Sequence, residues 1–283
     1  MAMSVRPVDY AAGNGVTPPS AVEVGMNTSV SIGEQLRDWR QRRRLSQLHL
    51  ALDAEISTRH LSFVETGRAQ PSRDMILRLA TELDVPLRER NAMLLAAGYA
   101  PVFADRSLDD RSLSVARAAI ETLLSAHDPF PALAVDRHWT LVTANKGGMA
   151  LMQGVAAHLL EPPINVLRLS LHPEGAAPRI ENLAEWKAHL LHRLRKQFEA
   201  SADPYLLELM EELRGYPAPP PALPDPTAIA VPLVVSSPRG SMSFLSTTML
   251  FGSPLDVTLS ELAIEIFLPA DGATVDRLRA ARG

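Results

Sequence analysis

Cysteine is absent from all 283 residues of the chain. The protein therefore has no disulfide bond and no thiolate that could act as a nucleophile or metal ligand, and a reducing compartment suits it. No apolar run approaches the ~18 residues of a membrane-spanning helix, and no signal-peptide-like apolar stretch opens the chain. These absences predict a cytoplasmic protein that makes no use of a membrane.

A strong excess of either charge is also missing, since the net charge is −4. Hydrophobic residues make up 46% of the chain, which is enough for globular cores. The charge is nevertheless unevenly distributed, because residues 32–98 hold eleven arginines against nine acidic residues. Five of these arginines fall in one short stretch: Arg37, Arg40, Arg42, Arg43 and Arg44. Such a patch is of the kind that meets phosphates, although the dipole of a helix also favours cations at its C-terminal end.

The length of the chain favours two domains, because single cores seldom grow much beyond ~250 residues. Residues 1–30 mix Pro, Gly, Ser and Thr without any period, which predicts a disordered tail. Structural signals begin only after Met26, which makes Met26 a candidate for the natural start beside Met1 and Met3.

The most informative stretch, residues 45–67, predicts two short helices joined by a tight turn. Ser46 and Ser57 are suited to cap the two helices, because each hydroxyl can accept a hydrogen bond from a free backbone N–H. In the second helix Leu61 and Val64 lie three residues apart and form its apolar face. Two helices of this kind, crossing steeply, form a helix-turn-helix.

Three more helices complete a compact domain around this motif. One precedes it and is capped by Ser31, and two follow it, the first capped by Ser72 and the second beginning at Pro86. Five short helices in about 67 residues are typical of an all-α, repressor-like DNA-binding domain, here over residues 31–98.

The motif resembles the XRE/phage-repressor class, whose pattern Ser-Gln-x-x-Leu-Ala followed by Ile-Ser-x-x-x-Leu-Ser-x-x-Glu-x-Gly is matched throughout. Glu55 departs from it, because that class usually has glycine there, and a left-handed backbone at Glu55 would cost roughly 1 kcal/mol relative to glycine. The resemblance implies that Arg40 and Glu65 form an internal ion pair, the alternative being two independent surface charges.

The same resemblance implies which side chains meet DNA: Gln47, Thr58, Arg59, Ser62 and Phe63. Gln47 is expected near a phosphate, and the others point from the second helix toward base edges, where Arg59 can bind guanine bidentately and Phe63 can touch a thymine methyl group. Arg43 and Arg44 are expected to contact phosphates. The alternative for each is that the side chain only packs or keeps the surface soluble.

Residues 99–112 are predicted to connect this domain to a second one over residues 113–283. After a helix, the second domain shows a strand pair in residues 132–143 and then further helices. Three strand-like stretches follow, over residues 229–235, 241–251 and 256–267. A loop with six prolines at residues 217–226 precedes these strands. This order predicts an α+β, sensor-like domain with an antiparallel sheet, so the whole chain is α+β.

Three runs of the second half resemble the MmyB-like transcription regulators: RLSLHPEG from Arg168, NLAEW from Asn182, and FLSTTMLFGSPLDVTLSEL from Phe244. These regulators join an XRE-type helix-turn-helix to a PAS-like ligand-binding domain. The resemblance implies a bacterial, actinobacterial regulator of transcription whose ligand domain is associated with fatty-acid-like molecules. We further expect a homodimer on double-stranded operator DNA.

Candidate ligand contacts are polar or aromatic residues in otherwise apolar segments: Arg168, His172, Trp186, His189, Arg193, Phe244 and Phe251. Arg193 is the preferred partner of a ligand carboxylate, because a guanidinium can bind it bidentately and stays charged when partly buried. The alternative is that these residues only join helices to the sheet. In that case the second domain serves dimerisation or partner binding without a ligand.

No metal and no cofactor is expected apart from a bound fatty acid or similar apolar ligand. His189 and His192 lie three residues apart on a predicted helix, and with His172 they suggest a metal site. No His-Glu-x-x-His motif supplies the further ligands and the base that a catalytic zinc site needs. Nucleophile-elbow, P-loop and dinucleotide glycine motifs are also missing, so the sequence predicts no enzyme.

Overall fold

The computed structural model of the protein describes residues 30–220 and 230–280, and the predicted tail lies outside them except for Val30. The described chain forms two compact units. The first comprises residues 30–83 and 92–100, and the second comprises residues 84–91, 101–220 and 230–280.

Helices form the whole secondary structure of the first unit. They are α1 (Ile32–Arg42), α2 (Gln47–Asp53), α3 (Thr58–Glu65), α4 (Arg73–Glu82) and the end of α5 (Leu87–Ala96). The predicted caps are present, since the side chains of Ser31, Ser46, Ser57 and Ser72 each accept a hydrogen bond from a backbone N–H three residues later. The five-helix prediction is confirmed.

Helices α1 and α3 approach each other closely at Gly33. A Cβ atom at this position would lie 2.4 Å from the carbonyl oxygen of Val64, so no larger residue fits without a shift of the backbone. The turn between α2 and α3 keeps a left-handed residue, because Glu55 has φ +52° although it is not glycine. The helix-turn-helix is therefore built with one strained position.

The second unit places its helices around a five-stranded sheet. Its elements in chain order are α6 (Ser114–Ala126), β1 (Ala132–Val135), β2 (Leu141–Ala144), α7 (Lys146–Leu151), α8 (Val166–Leu171), α9 (Leu183–Ser201), α10 (Pro204–Gly215), β3 (Leu233–Val235), β4 (Met242–Leu250), α11 (Val257–Ser260), β5 (Ala263–Pro269) and α12 (Gly272–Ala280).

The sheet has the strand order β2-β1-β5-β4-β3, and all its neighbouring strands are antiparallel. Because side chains alternate between the faces of a strand, Leu133 and Phe267 face one core while Ala132 and Ile266 face another. The first core is the larger and is filled from α8, α9 and α10, and the second is covered by α6. The α+β class with an antiparallel sheet is confirmed.

The structure corrects three details of the prediction. Residues 256–267 are not one strand, because Asp256 caps the short helix α11 and strand β5 begins only at Ala263. The first of the three C-terminal strands begins at Leu233, and its predicted start at Ile229 lies outside the described residues. Helix α12 follows the last strand and was not predicted.

Candidate functional site

The exposed surface of α3 carries the side chains that were predicted to meet DNA bases. Arg59 is exposed, while Thr58, Ser62 and Phe63 are half-buried. The guanidinium of Arg59 lies over the ring of Phe63, 5.3 Å from its centroid, as expected for residues one helical turn apart. The structure therefore brings these four side chains together on the N-terminal turns of one helix, where a recognition helix contacts base edges.

Arg40 and Glu65 meet inside the first unit. Arg40 donates from Nε to Glu65 Oε1 at 2.6 Å and from Nη2 to Oε2 at 2.9 Å, and the side chains are only 12% and 2% exposed. Arg40 Nη1 also donates to the carbonyl of Leu45, and Gln47 Nε2 donates to Glu65 Oε2 at 2.7 Å. Gln47 thus has an internal partner that the sequence did not suggest, and the pair fixes α1 against the helix-turn-helix.

In the arginine run before α2, the phosphate contact of Arg43 stays a prediction, while Arg43 also packs against its own domain. Its Nε donates to the carbonyl of Leu83 at 2.8 Å, and its guanidinium lies over Trp39 at 5.2 Å from the ring centroid. Arg43 is therefore held against the domain together with Arg40. Arg44 is exposed and lies in the turn before α2 with φ +57°, and its contact with a phosphate stays a prediction.

A cavity in the larger core of the second unit has almost entirely apolar walls. The enclosed cavity has a volume of about 90 Å³. It lies within a wider space of about 750 Å³ that includes the part open to solvent. Walls come from the sheet and from α7, α8 and α9, and include Trp139, Trp186 and Leu190. An engineered apolar cavity of about 150 Å³ holds benzene, so the enclosed part of this cavity is narrow.

One ion pair borders this cavity. Arg193 donates from Nη1 to Glu265 Oε2 at 2.9 Å and from Nη2 to Oε1 at 2.7 Å, with side-chain exposures of 22% and 3%. Thr248 bridges the pair, because it accepts from Arg193 Nη2 and donates to Glu265 Oε1, both at 2.8 Å. The guanidinium lies over Trp139 at 4.8 Å from the ring centroid. Glu265 is a wall residue that was not predicted, although an acid within the apolar run of residues 263–267 indicates a buried, paired carboxylate.

Among the seven predicted ligand contacts, only Trp186 and Arg193 line the cavity. Arg168 does not, because its guanidinium is held by Glu212 at distances of 2.7 to 3.1 Å. This hydrogen-bonded pair lowers the pKa of Glu212 and raises that of Arg168. The Tyr216 hydroxyl donates to the same carboxylate at 2.5 Å. Arg168 therefore joins helices α8 and α10, which was the alternative.

The two histidines among the predicted contacts also lie outside the cavity wall. His189 stacks on Trp186 with ring centroids 5.4 Å apart, and burial lowers its pKa, with nearby Arg193 adding to the effect. His172 contacts the rings of His158 and Tyr216 at centroid distances of 5.7 and 5.1 Å.

The structure groups His172 with other possible metal ligands than His189 and His192. Ligand atoms of His158, His172 and Glu174 lie within 4.8 Å of one another. His172 Nδ1, however, accepts the backbone N–H of Glu174 at 3.1 Å. In a neutral ring this bond places the proton on Nε2, so a metal at either nitrogen would have to change the hydrogen bonding of the ring.

Phe244 and Phe251 were predicted as ligand contacts and are both core residues. Phe244 is fully buried in the larger core and is not part of the cavity wall, whereas Phe251 packs in the core on the other face of the sheet. Phe244 lies in β4, whereas Phe251 directly follows the last residue of this strand, at an odd spacing from Phe244 that continues the alternation to the opposite face.

Comparisons with known proteins agree with this architecture. The ligand-binding domain model of the MmyB-like transcription regulators matches residues 116–281, which is more than half of the chain, and a helix-turn-helix domain model matches residues 31–93. Among curated proteins, none matches the chain significantly.

One solved structure shows a weak likeness to the chain. It is described as an RNA-binding light-oxygen-voltage receptor, with 13% sequence identity and a TM-score of 0.26 over 89% of this chain and 64% of that one. The chain thus spans less than two thirds of that protein.

Both matching families are modules of regulators and not of enzymes. No helix within residues 30–220 and 230–280 combines the length and the apolar character needed to cross a membrane. A helix-turn-helix with an exposed recognition helix is followed here by an α+β domain around an apolar cavity. The chain belongs to the MmyB-like transcription regulators, with a DNA-binding domain followed by a ligand-binding domain.

Proposed function

We propose that the second domain binds a small hydrophobic ligand, fatty-acid-like in its hydrocarbon chain, and that this ligand controls binding of the first domain to an operator. The apolar cavity beside Trp186 and Leu190 carries this proposal. Burying a hydrocarbon there gains about 0.8 kcal/mol per CH₂ group. The narrow enclosed part favours a slender chain that continues toward the open side of the cavity.

Operator recognition is assigned to the exposed face of α3. Arg59 is proposed to bind guanine and Phe63 to contact a thymine methyl group, with Thr58 and Ser62 beside them. Their position on the N-terminal turns of a capped helix supports this assignment. Because helix-turn-helix proteins commonly bind two half-sites as dimers, we propose a homodimer as the DNA-bound form.

Native mass spectrometry of the purified full-length chain, combined with organic extraction, tests ligand binding. We expect a hydrophobic small molecule to co-purify reproducibly. Ala176→Phe, which puts a ring into the cavity, should abolish co-purification. The matched control Ala188→Phe changes an exposed position of α9 and should retain the ligand. Both variants are checked by thermal unfolding, so that loss of the ligand is separated from loss of the fold.

A second function is favoured by exposed apolar side chains in the second unit: Val115, Leu250 and Leu255, which are 80%, 69% and 82% exposed. Such residues suit a contact between two copies of the chain. If several preparations carry no small molecule and no hydrophobic probe raises the melting temperature, the second domain serves dimerisation without a ligand. Analytical ultracentrifugation of Leu250→Glu then tests that function.

A further inference from the structure

The charge of the cavity wall is balanced before any ligand arrives. Among the described residues that line the cavity, the only charged side chains are Arg193 and Glu265, and they pair with each other. Both hydrogens of Arg193 Nη2 have acceptors, one on Glu265 and one on Thr248. The charged part of the cavity wall therefore has a net charge of zero.

A carboxylate in this cavity would have two unfavourable choices. It could separate Arg193 from Glu265, which would leave the carboxylate of Glu265 buried without its cation. Alternatively it could lie beside the intact pair as a second anion, where it would be desolvated and repelled by Glu265. Neither choice is compensated by another cation, because Arg168 is held by Glu212 and does not line the cavity.

The remaining polar groups suit an uncharged oxygen. Both indole N–H groups of the wall are already used, since Trp139 donates to Gln197 Oε1 and Trp186 donates to Ser170 Oγ. Ser170 lines the cavity, and its hydroxyl accepts this one bond, so its own hydrogen is left to donate. A carbonyl, ester or hydroxyl oxygen of a ligand could accept it.

We infer that the ligand is uncharged: a hydrocarbon chain or ring with a neutral oxygen function that accepts a hydrogen bond from Ser170, and not a free carboxylic acid. This inference rests on the proposed function, since it concerns the cavity in which that function places the ligand. It narrows the ligand to neutral derivatives such as alcohols, ketones, lactones and esters.

The test compares probes that differ only in their polar end. Straight-chain acids of eight to fourteen carbons, the matching 1-alcohols and the matching methyl esters are titrated into the full-length protein at pH 7.5. Binding is followed by tryptophan fluorescence, because two of the three tryptophans, Trp139 and Trp186, line the cavity. We expect the neutral probe of the best chain length to bind at least tenfold more tightly than its acid.

Two substitutions examine the cause of this preference. Glu265→Gln removes the anion and leaves Arg193 to a ligand, so acid binding should improve at least tenfold while alcohol binding changes little. Glu212→Gln is the matched control, because it breaks an Arg–Glu pair away from the cavity and should not change the ratio. Ser170→Ala should weaken ester and alcohol binding severalfold.

The outcomes separate this inference from the proposed function. Acids that bind the wild-type protein more tightly than their neutral counterparts overturn the inference and leave the proposed function standing. If no probe of either class binds, both fail. Should Glu265→Gln not fold, the wild-type comparison and Ser170→Ala still decide the matter.

Discussion

Each described unit contains a bidentate arginine–glutamate pair whose carboxylate is almost fully buried, and the two pairs serve different ends. Arg40–Glu65 lies among α1, α2 and α3, with Leu45 and Gln47 as further partners. Arg193–Glu265 joins α9 to β5 and forms part of a cavity wall. The same chemical group therefore stabilises a DNA-binding motif in one unit and sets the charge of a ligand cavity in the other.

The first prediction concerns the pair in the first unit, where the largest effect is expected. Arg40→Met leaves the carboxylate of Glu65 buried without its cation and should cost about 3–5 kcal/mol. Because the two domains need not unfold together, the loss should be measured by hydrogen exchange of peptides from α1 and α3. The double variant Arg40→Met/Glu65→Leu should cost much less than the sum of the single changes. Small, additive losses would mean that the pair acts as two surface charges.

The second prediction applies the same change to the other pair. Glu265→Gln should reduce the stability of the second unit by about 1.5–3 kcal/mol, the range for hydrogen bonds to charged groups. The cost is smaller than in the first unit because Arg193, at 22% exposure, can turn toward solvent. Hydrogen exchange of β5 peptides measures it.

The matched control for this prediction is Glu212→Gln, which breaks a pair whose two side chains are 35% and 36% exposed. Solvent screening should limit its cost to less than about 1 kcal/mol. A loss as large as that of Glu265→Gln would show that burial does not distinguish the two pairs.

The two pairs also differ in whether their contact could be predicted from the sequence. Arg40 and Glu65 match positions that pair in the XRE/phage-repressor class, so their contact was implied by that resemblance although the two residues lie 25 positions apart. Arg193 and Glu265 are 72 residues apart on a helix and a strand. Their contact depends on which residues of β5 face α9, and this is fixed only when the strands pair.

The same limit explains the errors in the predicted ligand site. Arg168, His172 and Trp186 share short segments with apolar residues, and sequence spacing alone did not say which of them faces the cavity. Helix caps, by contrast, depend on neighbours three residues away, and Ser31, Ser46, Ser57 and Ser72 were predicted correctly. Local chemistry could be predicted, whereas the choice between two faces of an element could not.

The third prediction concerns the exposed surface of the first unit, where a substitution should change DNA binding and not stability. Arg59→Ala should cost about 1–3 kcal/mol of binding to the specific operator and little on random duplex, because it removes a contact to a base edge. Fluorescence anisotropy with both duplexes measures the two losses. Arg44→Ala is the control, since losing a phosphate contact should weaken both complexes and flatten the salt dependence by about one unit. Equal losses for Arg59→Ala on both duplexes would contradict its assigned role.

The fourth prediction concerns the strained turn of the helix-turn-helix. Glu55 has φ +52°, so Glu55→Gly should stabilise the first unit by roughly 1 kcal/mol. Thermal unfolding or hydrogen exchange of α2 peptides should detect this gain. Asp53→Gly, at the last residue of α2, is the control and should destabilise by a similar amount, because glycine is unfavourable in a helix. If both changes destabilise, the side chain of Glu55 makes a contribution that exceeds the strain.

The last and smallest effect is a pH dependence in the second unit. Burial lowers the pKa of His189 below its ordinary value, and Arg193 and His192 act in the same direction while Glu265 opposes them. The unfolded chain therefore binds the proton more readily than the folded one. Stability should be full above the unfolded pKa of about 6.5 and should fall as the pH drops below it. His189→Leu should flatten this part of the profile of melting temperature against pH, whereas His192→Leu, which removes only a smaller cause of the shift, should flatten it less. His189 stacks on Trp186, which lines the cavity, so we expect a bound ligand to change the pH dependence of the melting temperature. An unchanged slope in the presence of ligand would show that His189 titrates independently of the ligand site.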